Sequence, residues 1–140
     1  MQVKIQPMSS RPHADPDAQK HRERCIQIIA ISPKIRYAGI MNRFGRTIAG
    51  ALRKGVVPML KPDEAKSEYF VEAARSQMRR NFEGSIGRTE YSFTENQKVK
   101  IVTVPSGENF AYITMDKDTP LAEVTRIVEF ARKSLDSFQA

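Results

Sequence analysis

A chain of 140 residues, 40% apolar and 28% charged, has the size and composition of one globular domain with a single core. It contains no run of about 18 apolar residues, as a membrane-spanning helix requires, and its first residues lack the apolar core of a secretory leader, so a cytoplasmic location is expected. The formal charge of +7 is dispersed without a block of like charges, and the single cysteine, Cys25, excludes an internal disulfide.

Residues 1–15 hold Pro7, Ser9, Ser10 and Pro12 among few apolar groups and are expected to form a flexible arm ahead of one domain over residues 16–140. Asp15-Pro16-Asp17 opens a first helix that should run to about Ile31, with Ala18, Cys25, Ile28 and Ile29 on its apolar side. Ser32-Pro33 ends it, because proline disfavours helix at the residue before it.

Lys34 to Asn42 then reads as a strand and Thr47 to Leu52 as a second, joined by the turn Asn42-Arg43-Phe44-Gly45. Gly39 and Gly50 lie inside these strands and mark bulges or places where a neighbouring element comes close. Pro62-Asp63-Glu64 opens a second helix, with proline early and two acids in the first turn, reaching Asn81 or Phe82 before Gly84 and Gly87. Phe70 or Val71, Ala74, Met78 and Phe82 recur along it at spacings of three or four, with Glu72, Arg75, Arg79 and Arg80 mostly away from that stripe.

Residues 88–116 form a three-strand meander. Val99, Ile101 and Thr103 share one side of the middle strand, as Phe110, Tyr112 and Thr114 do in the next, while Val102, Val104, Ile113 and Met115 put apolar groups on the opposite side. Both faces of such a sheet need covering, which calls for helices on each. Thr119-Pro120 starts a last helix with the stripe Leu121, Val124, Val128, Ala131, Leu135 and Phe138.

No reactive constellation emerges. The spacing GxxxxGK[ST] is absent, as are GxSxG, HExxH and paired CxxC, and His13 and His21 are the only histidines. Asp63-Glu64 suits a helix start, and Asp116 and Asp118 suit a strand-to-helix loop. The chain therefore reads as a protein that is not an enzyme, with no cofactor and no metal. Arg75, Arg79, Arg80 and Arg88 are the charged group most suited to a partner: a solvated helix side, an acidic protein surface and nucleic-acid phosphate all fit them.

The order helix, strand, strand, helix, three strands, helix, with the hairpin IRYAGIMNRFGRTIAGAL and the meander ending in ITMDKDTP, resembles the Roadblock, or dynein light-chain, family. That resemblance covers residues 17–138 and implies an α+β fold: a five-stranded antiparallel sheet in the order 2-1-5-4-3 with helices on both faces, akin to profilin and longin domains. It further implies a homodimer, or a heterodimer with a related subunit, formed through the second helix and third strand, that scaffolds or regulates a small GTPase or a larger complex. Fitted to that pattern, Tyr69, Phe70, Ala73, Ala74 and Gln77 are the expected dimer contacts. The different class of function that the charge leaves open is a basic nucleic-acid-binding accessory protein.

Overall fold

The computed structural model describes residues 3–5 and 17–139. Its elements are β1 (Val3–Ile5), α1 (Ala18–Ile29), β2 (Ile35–Met41), β3 (Thr47–Arg53), α2 (Pro62–Arg79), a 3-10 turn (Arg80–Phe82), α3 (Glu83–Ile86), β4 (Ser92–Glu95), β5 (Val99–Ser106), β6 (Asn109–Asp116) and α4 (Leu121–Gln139). The sheet is antiparallel and runs β1-β3-β2-β6-β5-β4. Without β1 this is the expected five-strand order 2-1-5-4-3. The addition is β1, which pairs Val3 with Arg53 and Ile5 with Ala51 along the outer edge of β3. Three residues are too few to show a period, so this strand inside the expected arm was not legible. Residues 1–2 and 6–15, the rest of that arm, lie outside the described residues.

Two of the three hairpins, β2–β3 and β5–β6, show their turn chemistry plainly. The Asn42 side-chain oxygen accepts from the backbone N–H of Phe44 at 2.9 Å and of Arg46 at 3.0 Å, while Gly45 takes φ +83°, a left-handed value that favours glycine. Between β5 and β6 the loop is only Gly107-Glu108, with φ +60° at the glycine, so Pro105 and Ser106 belong to the strand.

One sheet face carries the main core. Ala38, Ile40, Ala49, Ala51, Val102, Val104, Ala111, Ile113 and Met115 meet Cys25, Ile28 and Ile29 of α1 and Val124, Ile127, Val128, Ala131 and Leu135 of α4. The α4 stripe is thus largely as its spacing implies, except that Leu121 is exposed and Ile127 is buried. The side chain of Phe138 lies outside the described residues. Ile35 joins this core although Tyr37 faces the other way, because the pairing with β6 shifts register between them.

Arg53 closes the far end of α1. Its guanidinium donates to the carbonyl of Ile29, an acceptor that the helix end leaves open, and of Ser32, each at 2.7 Å, and to that of Ile35 at the start of β2 at 2.6 Å. At the start of α4, Thr119 is buried; its hydroxyl donates to the Asp116 carbonyl at 2.7 Å and its own carbonyl accepts from Lys100 Nζ at 2.5 Å. These polar contacts fix the strand-to-helix loop. The opposite sheet face is covered by α2, so helices lie on both sides.

Candidate interaction surface

Helix α2 begins where Pro62 supplies a preset φ and Glu64 accepts from the backbone N–H of Lys61 at 2.9 Å. It ends in stages. The helical path tightens at Arg80–Phe82, continues through Gly84, and stops at Gly87, whose φ of +87° no longer fits a helix. Asn81 or Phe82 was the expected last residue, with Gly84 and Gly87 ending the helix; the stop comes at Gly87, because with its neighbours already helical Gly84 lowers helix stability without breaking the path.

The side of α2 against the sheet is aromatic and acidic. The Tyr69 ring stacks on Tyr37, with centroids 6.5 Å apart and planes at 10°, and meets Tyr112 edge-on at 5.0 Å. Gly39 makes room for this cluster: a Cβ there would lie 2.5 Å from the Tyr37 hydroxyl oxygen. Tyr112 donates to Glu68 Oε2 at 2.8 Å. Glu72 is 7% exposed with Arg75 Nη1 3.3 Å from its Oε1. Burial pushes the Glu72 carboxyl above its ordinary range, opposed by Arg75 and reinforced by Glu68. The phenols of Tyr37 and Tyr112 are raised mainly by burial as well.

The apolar stripe of α2 points the other way, into solvent. Phe70 is 63% exposed and Met78 64%, and Val71 and Phe82 are each at least half exposed; Ile86 and Tyr91 extend the apolar surface past the helix end. Strand β4, which follows, pairs only with β5 and forms one edge of the sheet. Among the described residues, this row of exposed apolar side chains and the unpaired strand edge are surfaces that call for a cover.

The five expected dimer contacts divide accordingly. Phe70 and Gln77 are exposed and Ala74 is half-buried, but Ala73 is 3% exposed and Tyr69 is packed in the tyrosine cluster. Ala73 and Tyr69 face this chain's own sheet, so the open part of the helix is presented by Phe70, Ala74 and Gln77. Among the four arginines, Arg75 and Arg79 line one cleft between α2 and the β4–β5 hairpin, together with Glu72, Ser76, Thr89, Ser92, Thr103, Pro105 and Phe110. Arg80 and Arg88 are exposed and do not line it. Arg79 also places its guanidinium over the Phe82 ring, at 5.3 Å.

Sequence reasoning passed over two further exposed groups. Phe44 projects from the β2–β3 turn with the Arg43 guanidinium 4.8 Å above its ring, and the adjacent Gly45 packs against the backbone of Tyr69 and Phe70. Val57, Met59 and Leu60 are exposed in the connection before α2, where Arg36 donates to the Val57 carbonyl at 3.0 Å. An aromatic flanked by arginine in a turn, and an apolar run flanked by Lys54 and Lys61, were the available signals. Among the described residues, no group of three or more His, Cys, Asp or Glu could hold a metal ion, and no helix is long and apolar enough to cross a membrane.

The model of a family of unknown function, DUF6659, matches residues 15–140. The chain belongs to that family. No curated protein matches this DUF6659 chain by sequence. Among solved structures, the gliding protein MglB of Thermus thermophilus aligns at a TM-score of 0.69 and 16% identity over 90% of this chain and 93% of its own. An MglB solved in a tetrameric arrangement aligns at 0.69 and 16% over 90% and 92%. A Roadblock/LC7 domain from Streptomyces avermitilis aligns at 0.62 and 13% over 84% and 96%. Near-complete coverage in both directions, with the sheet order above, gives this DUF6659 member a Roadblock fold.

Proposed function

We propose that this protein is a non-enzymatic, self-associating Roadblock module of the cytoplasm that scaffolds or regulates a small GTPase or a larger complex. The observation that carries the reading is the outward apolar stripe of α2 beside the open β4 edge. A helix that turns Glu68, Glu72 and Tyr69 toward its own sheet and Phe70, Val71, Met78 and Phe82 toward water has its apolar side arranged for a second surface. A second copy supplies that surface with matching chemistry, since a twofold interface sets a patch against itself. The tetrameric arrangement named for an MglB of the same fold supports self-association, and the Roadblock resemblance supports the GTPase partner.

Phe70, Ala74 and Gln77, joined by Val71, Met78 and Phe82, are the proposed self-contacts. Arg75 and Arg79, with Arg80 and Arg88 beyond the helix end, are the proposed contacts to an acidic partner protein. The nucleic-acid reading gains less support, because many basic side chains are engaged locally: Lys34 with Asp118, Arg36 with Asp116, Lys117 with Glu95 and Arg132 with Glu90. Light scattering coupled to gel filtration should return at least twice the chain mass, and purification from the native cell should recover a GTPase. A monomer across micromolar concentrations refutes self-association as a homomer. Recovery of nuclease-sensitive RNA or DNA without a GTPase refutes the partner assignment.

A further inference from the structure

We propose that the cleft between α2 and the β4–β5 hairpin is a carboxylate-binding site that receives an acidic side chain from an extended segment of a partner protein. This deepens the partner-binding reading above and rests on it, but it does not require the dimer, because one chain supplies every lining residue. Arg75 and Arg79 are one helical turn apart and both line the cleft, so two cationic side chains are within reach of one ligand. Ser76, Thr89, Ser92 and Thr103 line it with hydroxyls, each able to donate to an anion. Pro105 and Phe110 contribute apolar lining against which the methylene stem of a glutamate or aspartate can rest.

The charge balance at the opening is the second ground. Among the described residues no acid pairs with Arg79, whose guanidinium rests over the Phe82 ring. Arg75 does have an acid, Glu72, at 3.3 Å, and also reaches Thr94 Oγ1 at 3.5 Å. Glu72 is thus an internal occupant: it offers Arg75 the same group that an incoming carboxylate would offer, from a buried position that penalises its own charge. An external carboxylate reaching both arginines is served by two cations, whereas Glu72 pairs with one. The ligand class follows. A carboxylate fits two planar guanidinium forks and a ring of hydroxyls, and a side chain on an extended segment can enter beside β4, where the sheet ends.

The test is amide NMR of the isotopically labelled full chain, titrated with hexaglutamate, with hexaglutamine and inorganic phosphate as controls. Saturable shifts at Ser76, Thr89, Ser92 and Thr103 are expected with hexaglutamate and not with hexaglutamine. Arg79→Gln should weaken binding about tenfold, the loss of one charge-assisted bond. Glu72→Gln should strengthen it severalfold, because it frees Arg75 while keeping the side chain's shape; a general effect of surface charge gives no such dependence on a buried residue. Shifts spread over all basic surfaces, or Glu72→Gln and Arg79→Gln variants that bind like wild type, overturn the proposal. Tighter binding of phosphate than of hexaglutamate at the same amides assigns the cleft to free anions and overturns it too. A dimer that ignores hexaglutamate overturns the cleft alone, whereas a monomer that binds it overturns the dimer alone.

Discussion

Replacing Phe70 by glutamate separates an interface from a core. Phe70 is 63% exposed in the single chain, so the substitution should leave the fold nearly as stable as wild type, within about 0.5 kcal/mol for a surface site. A phenylalanine side chain buries about 200 Å² when fully covered, so its open part offers roughly 125 Å², worth about 3 kcal/mol at ~25 cal/mol/Å². A twofold interface counts the change twice. The dissociation constant should therefore rise by a factor approaching about 10⁴, with charge repulsion near the axis adding to it and the ordering costs of association subtracting. Met78→Glu, at 64% exposure on the same stripe, should act alike. Ala73→Arg should do something else: at 3% exposure its side chain has no room, so it should unfold the domain before it alters association. Sedimentation velocity over a hundredfold concentration range, with a thermal melt beside it, reads both quantities. Phe70→Glu and Met78→Glu proteins that melt normally and keep the wild-type dissociation constant would move the interface off α2.

Val128→Asp should cost several kcal/mol and abolish the cooperative melt, since it sets an unpaired charge among Cys25, Ile28 and the β5–β6 core; a wild-type midpoint would show this face to be open. Arg53→Met should lower stability by about 2–4 kcal/mol, because the carbonyls of Ile29, Ser32 and Ile35 lose a charged donor; urea denaturation checks it, and a change under about 0.5 kcal/mol would mean that water replaces the guanidinium. The raised Glu72 carboxyl binds its proton more tightly folded than unfolded. Its ionisation therefore costs stability above the folded pKa, and that cost disappears as pH falls below the ordinary carboxylate range. Glu72→Gln should then raise the melting temperature at pH 7 and lose that advantage below about pH 4; a variant less stable at pH 7 would show the Arg75 pair outweighing burial.

The sheet was legible because its strands are long enough for a period of two to appear on both sides: Val102, Val104, Ile113 and Met115 enter one core and Ile101, Phe110 and Tyr112 the other. β1 was not, since a three-residue strand is defined by the β3 edge it meets and not by its own pattern. Helix α2 shows the sharper limit. Its stripe of Phe70, Ala74, Met78 and Phe82 was correctly read as apolar, yet periodicity gives the direction of a face and not the identity of what lies against it. The deciding residues are on the sheet: Tyr37, lying across Gly39, presents a ring and Tyr112 a ring and a hydroxyl, so the helix side that meets them must carry both aromatic surface and an acceptor. Tyr69 and Glu68 supply these and Ala73 allows the close approach, which leaves the apolar stripe on the outside. The side of α2 that carries Glu68, Tyr69, Glu72 and Ala73 is thus taken up by its own sheet, and among the described residues nothing covers its exposed apolar side.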